Sequence, residues 1–192
     1  ESKYFRLGFD PTVLNDLPRL PNTHGVVYVG SYGPIHKERN KLLEEVAERI
    51  RVDFWGFGVE SLRRSSPILQ TYHGPAWGKQ MLEIVSRSKI CLNRHINAAE
   101  NYANNMRLYE ATGMGCLLVT DYKDNLRDLF EVGKEVVAYR DARECIELVK
   151  YYLDHNSERS AIAEAGQRRT LQDHTYQIRM AELVEIIKPY LS

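Results

Sequence analysis

"NNMRLYEATGMGCLLVTD", residues 104–121, reads as a helix, a glycine-bearing turn and a strand in direct succession. Asn104 or Asn105 supplies a side-chain cap for a helix running to Gly113. Beyond the turn, Cys116, Leu117, Leu118 and Val119 are four successive apolar residues, the mark of a strand buried on both faces. The helix also carries Glu110, a charge that a plain connector between two core elements does not need.

The same alternation extends outward in both directions. Upstream, "VVYVG" (26–30) is a short apolar run, followed by "HKERNKLLEEVAERI", in which Leu43, Val46, Ala47 and Ile50 recur at helical spacing. "VDFWGFG", "ILQTYHG" and "KICLN" are further strand candidates, with a helix, "GKQMLEIVSRS", before the last. Downstream come a short helix near "NLRDLFEVG" and the strand "EVVAY". A helix opened by Asp141 follows, then two more at 157–172 and 175–188. Strands alternating with helices predict an α/β fold: a Rossmann-like, doubly wound parallel sheet of about six strands with helices on both faces and a helical C-terminus. In such sheets ligands sit at the carboxyl ends of the strands, close to helix N-termini. Residues 1–25, punctuated by Pro11, Pro18 and Pro21, read as a linker or edge segment, and residues 26–192 as the domain. The chain opens without methionine and reads as part of a longer one.

Composition narrows the functional classes. The 26 basic and 26 acidic residues cancel, so no electrostatic footprint marks nucleic acid or an anionic membrane as the main partner. No apolar run approaches the ~20 residues that span a bilayer, and residues 1–15 lack the apolar core of a signal peptide. Cys91, Cys116 and Cys145 are scattered through apolar segments and read as reduced core residues of a cytoplasmic protein. No cysteine–histidine cluster has metal spacing, and no G-x-S-x-G elbow is present.

Three places carry residues suited to binding chemistry. In "VGSYGPIHKER" (29–39), Gly30 and Ser31 end a strand before a helix, where backbone amides and the helix dipole favour a phosphate. His36, Lys37 and Arg39 stand where a diphosphate can be paired; an ordinary turn with a solvated first helical turn is the other reading. Arg107 and Glu110 share a helix face, either as a surface ion pair or with Glu110 accepting the two hydroxyls of a ribose. In "YHGPAWG" (72–78), Tyr72 and Trp77 can border a planar base or serve as core or hinge aromatics. "RHINAAENYANN" (94–105) adds Arg94, His95, Glu100 and Tyr102 after a strand end, again on the ligand side.

From Val26 to Leu183 the chain resembles the C-terminal half of group 1 glycosyltransferases, nearest the branch named after spore-maturation proteins. The resemblance rests on N-x-R-x-x-E-A-x-x-x-G (Asn105 to Gly115) and on "HTYQIR" (174–179). It implies the nucleotide-sugar-binding lobe of a GT-B enzyme, whose acceptor site lies on a separate N-terminal lobe. Glu110 then matches the glutamate that holds the donor ribose, within a motif that includes Asn105 and Arg107. Gly30 and Ser31 match the loop facing the donor diphosphate, with Lys37 or Arg39 supplying the charge that an arginine at Ser31 would have carried. Tyr72, His73 and Gly74 fall near the base. The partners implied are a nucleotide diphosphate sugar as donor substrate and the N-terminal lobe, with no cofactor or metal.

One departure stands out. The glutamate that should precede Glu110 by eight positions is Tyr102, so recognition of the transferred sugar must differ here. Sugar transfer with retention is the function implied. A non-catalytic nucleotide-binding module, which the missing glutamate favours, and an epimerase of the same two-lobe fold are the alternatives.

Overall fold

A computed structural model describes residues 3–17 and 21–191, which leaves Pro18 outside the described residues. Helix α1 (Val13–Asp16) precedes β1 (His24–Ser31), α2 (Lys37–Ala47) and β2 (Asp53–Phe57). Then come α3 (Gly78–Ser86), β3 (Ser88–Asn93), α4 (Met106–Gly113), β4 (Leu117–Asp121) and β5 (Val137–Tyr139). Helices α5 (Ala142–Asp154), α6 (Asn156–Asp173) and α7 (Tyr176–Ile187) complete the succession.

The sheet is parallel throughout and ordered β2-β1-β3-β4-β5, five strands among the described residues rather than about six. The missing one is "ILQTYHG". Pro67 starts a 3-10 turn there (Pro67–Thr71), and Tyr72 alone bridges to Phe54 at the sheet edge. The helix expected near "NLRDLFEVG" is likewise a single 3-10 turn, Leu126–Asp128.

Both faces are buried, as the apolar runs require. Along β1, Val27 and Val29 enter one core and Val26 and Tyr28 the other; β4 divides Leu118 from Leu117 and Val119 in the same way. Leu108 and Ala111 of α4 and Val85 of α3 close the first core, while Leu43 and Val46 of α2 and Cys145 and Val149 of α5 close the second. The three cysteines are free and buried.

The N-terminal segment is packed on the body rather than trailing from it. Phe9 is 2% exposed, and its ring lies so close to Gly113 that a Cβ there would sit 2.6 Å away. Phe9 N–H donates to His174 O (2.8 Å) and Tyr176 N–H to Phe9 O (2.9 Å). Arg179, fully buried, donates to Leu7 O at 3.0 Å, to Asp173 O at 3.0 Å and to His174 Nδ1 at 2.7 Å. "HTYQIR" is thus a structural clasp, fixing residues 7–9 against the start of α7. Among the described residues no helix is long and apolar enough to cross a membrane.

Candidate functional site

From β1 the chain passes outward to β2, and it then returns across the sheet to β3. The order reverses between β1 and β3, and in parallel sheets of this kind ligands bind outside the carboxyl ends of the strands at such a reversal. Residues from four elements meet at this edge.

Helix α4 starts there because Asn105 caps it, its Oδ1 accepting from Leu108 N–H at 3.3 Å. Asn105 Nδ2 also donates to Asn93 Oδ1 (2.9 Å) at the end of β3, and Asn93 Nδ2 donates to Thr120 Oγ1 (2.9 Å) on β4. This amide ladder ties the helix start to two strand ends. Two residues on, Arg107 reaches across the reversal and donates to Val29 O at 3.1 Å, with Met81 Sδ at 3.0 Å. Its other nitrogen pairs with Glu110 Oε2 at 2.9 Å, so one guanidinium joins the carboxylate to the end of β1. The pair is not a surface one: the side chains are 13% and 14% exposed.

The loop after β1 is shaped by close backbone approach. Gly30 pairs with Gly56, which has φ 133°, and a Cβ on Gly56 would stand 1.6 Å from Gly30 O. Only glycine fits. Arg39 donates to the exposed Ser31 carbonyl and lies over the Tyr28 ring at 5.8 Å, while Asn40 Nδ2 holds Tyr32 O at 2.7 Å. Lys37 is exposed at the first position of α2. His36 Nδ1 and Arg39 Nε are shielded from solvent and have no partner. Burial, with the Arg39 charge beside it, holds the His36 imidazole below its ordinary pKa. Two unpaired nitrogens and a cation at a glycine-shaped loop suit an anion.

The segment 72–74 divides. Gly74 O accepts from Gly56 N–H at 3.0 Å, and Tyr72 OH donates to Gly56 O at 2.6 Å, so both touch the glycine pair. His73 turns the other way. Its Nε2 meets Asp53 Oδ1 (3.1 Å) at the start of β2 and its ring stacks on Trp55 at 4.5 Å. That is three residues down the strand from Gly56, about 10 Å from the carboxyl edge. Hence Gly30, Ser31, Lys37, Arg39, Tyr72, Gly74, Asn105, Arg107 and Glu110 lie along the carboxyl edge, and His73 does not join them.

Sequence reasoning missed two features at the same edge. Phe57, the last residue of β2, is 49% exposed and meets the 74% exposed Trp77 at 6.1 Å, an open aromatic pair. Phe57 was hidden inside what reads as a core strand, where only its place next to Gly58 hinted at the sheet's rim. The second is the pairing of His95, already placed after a strand end by the sequence, with Asp121 at 2.7 Å. The two are 26 residues apart, and only the parallel register of β3 with β4 brings them together. Among the described residues no group of three or more His, Cys, Asp or Glu is placed to hold a metal ion.

The sequence model of a family described as glycosyl transferase-like matches residues 38–185. Among solved structures, HepE from Anabaena, crystallised with UDP-glucose, superposes with a TM-score of 0.71 at 13% identity, covering 95% of this chain and 56% of HepE. A glycosyltransferase from Rickettsia africae gives 0.73 at 11% identity, over 97% of this chain and 56% of that one. Sucrose-phosphate synthase from Thermosynechococcus elongatus gives 0.67 at 12%, over 97% and 50%. No curated protein matches the chain. At such identities the structural likeness is one of fold, that of a single GT-B lobe, and the chain spans about half the length of those structures. Since the family match runs through most of the sequence, the chain belongs to the glycosyl transferase-like family.

Proposed function

We propose that this chain is the donor-binding lobe of a glycosyltransferase that moves a sugar from a nucleotide diphosphate sugar to an acceptor, with retention. The observation that carries the reading is Glu110: a carboxylate held at the strand-order reversal by the same guanidinium that grips the end of β1. There it can accept both hydroxyls of a ribose while the loop after β1 faces the diphosphate. Lys37 and Arg39 then stabilise the diphosphate as it leaves, when negative charge grows on it. The exposed Phe57–Trp77 pair provides a surface for the base. HepE was crystallised with UDP-glucose, which makes uridine diphosphate the first nucleotide to test and guanosine diphosphate the second.

Further parts of the proposal extend beyond these residues. The acceptor site belongs to an N-terminal lobe, donor binding needs no metal, and the enzyme works in the cytoplasm, in keeping with three free cysteines. The "HTYQIR" ending supports the branch named after spore-maturation proteins. Calorimetric titration of these 192 residues with UDP and GDP, in the presence of a chelator, tests the reading. Binding of one of them without sugar transfer is expected; failure of both to bind refutes it, and turnover by the chain alone refutes the two-lobe division. A non-catalytic binding module is the second reading, favoured by the exposed Tyr102 in the place of a glutamate.

A further inference from the structure

We propose that His95, oriented by Asp121, takes a hydroxyl of the sugar carried by the donor; the proposal rests on the donor-binding reading above. His95 lies just past the end of β3, and both its backbone N–H (2.9 Å) and its Nδ1 (2.7 Å) bond to Asp121 Oδ1. The other carboxylate oxygen of Asp121 faces Lys123 Nζ at 3.5 Å. Burial works against the charge of Asp121, yet the hydrogen bonds from His95 outweigh it and hold the carboxyl below its ordinary pKa. An ionised carboxylate only accepts, so Nδ1 carries a proton and Nε2 is the atom left over. His95 is 2% exposed, and Nε2 has no partner. A buried polar atom left this way marks a missing ligand or a functional role.

The surroundings say which ligand. His95 lines a cleft of ≈ 360 Å³ with Ile96, Ala99, Tyr102, Asn104 and Asn105, at the small end of the range for ligand sites. The amides of Asn104 and Asn105 are already used within the protein. Tyr102, 63% exposed, offers an aromatic face, which packs well on the C–H face of a sugar. With Nδ1 protonated, Nε2 accepts a hydrogen bond in the neutral ring and donates one in the cation. A hydroxyl serves both states, whereas a phosphate oxygen serves only the second. The cleft also lies one strand beyond the β1–β3 reversal, next to the helix cap that borders it. A nucleotide at the reversal thus presents its sugar to His95. Lys123 donates to Glu100 O and pins the cleft's loop at its strained point, Glu100, which has φ 45°.

Titrations of wild type and His95→Ala with UDP and UDP-glucose, and with GDP and GDP-mannose, test this. In wild type the conjugate should bind up to about tenfold more tightly than its free diphosphate, and His95→Ala should erase that margin while both still bind. A margin unchanged in folded His95→Ala overturns the proposal. Nitrogen NMR of the wild-type imidazole is the second readout: the Nε2 signal should move with the conjugate and stay with the diphosphate alone. A signal indifferent to the conjugate also overturns it. Asp121 is a positioning residue, so Asp121→Asn should shift the tautomer balance of His95 in the same spectra and narrow the conjugate's margin while leaving the free diphosphate's binding in place; an unchanged margin despite the shifted tautomer makes the pair merely structural. If wild type binds neither diphosphates nor conjugates, the donor-binding reading falls and takes the subsite with it; binding without any His95 effect removes the subsite alone.

Discussion

Replacing Glu110 by alanine separates the two roles its geometry allows. A helical i,i+3 ion pair on an open surface is worth a few tenths of a kcal/mol. Here the partners are 13% and 14% exposed, and loss of the carboxylate leaves the Arg107 guanidinium with only Val29 O and Met81 Sδ. Stranding part of a buried charged donor costs about 1–3 kcal/mol of stability. If Glu110 also holds a ribose, a second loss appears in binding, about 1.5–3 kcal/mol for charge-assisted hydrogen bonds, or roughly 10- to 150-fold in Kd. Urea unfolding of wild type, Glu110→Ala, Arg107→Ala and the double variant gives the coupling of the pair as a double-mutant cycle. Calorimetry with UDP and GDP on the same proteins gives the second quantity. A folded Glu110→Ala protein that binds as tightly as wild type, with only the stability term changed, refutes the ribose role and leaves a buried ion pair.

Three more outcomes follow from other residues. Tyr102→Ala should weaken the sugar conjugate by up to about tenfold, about 1.4 kcal/mol, and spare the free diphosphate; an equal loss for both rejects stacking on the sugar. Burial, with the Arg179 charge, holds His174 below its ordinary pKa of 6.5, and Nδ1 must accept from Arg179; the bond from Nε2 to Leu129 O works the other way without outweighing them. The unfolded chain then binds a proton that the folded chain refuses, so this part of the stability is full above pH 6.5 and declines as pH falls below it. Urea midpoints between pH 8 and 5 should slope less in His174→Gln than in wild type, and equal slopes contradict the assignment. Gly56→Ala should cost at least about 1–3 kcal/mol in thermal unfolding and weaken diphosphate binding, since its Cβ would collide with the Gly30 carbonyl; a neutral substitution would show that this glycine pair does not shape the loop.

Much of the fold was legible because burial on both faces turns each strand into an unbroken apolar run. "CLLVT" and "VVYVG" are β4 and β1 for that reason, and the caps Asn105 and Asp141 sit where their side chains suggest. "ILQTYHG" has a strand's composition, but Pro67 and the edge position leave it one bridge. Phe9 could not be read as core, because the aromatics of the opening segment, Tyr4, Phe5 and Phe9, establish neither a helical nor a strand period before Pro11. The Arg107–Glu110 spacing was visible as a pair, yet its burial depends on Val29 and Met81, which lie 78 and 26 residues from Arg107. His95 and Asp121 posed the same difficulty: each is ordinary alone, and only strand register joins them.

The clasp between residues 7–9 and 174–179 also bears on how the protein is made. Arg179 and Leu7 are 172 residues apart, so the bond between them cannot form until almost all of this sequence has left the ribosome. Until then Phe9 has no strand-like partner to hold it on Gly113, a residue of the same short helix that carries Glu110. Contacts of such long sequence separation form late and slow the final folding step. Synthesis that stops before His174 would therefore yield a sheet with its strands paired but the Glu110 helix left without part of its support. Support for the helix that carries Glu110 is in this way tied to the arrival of residues 174–179, so that helix is fully buttressed only after translation has reached α7.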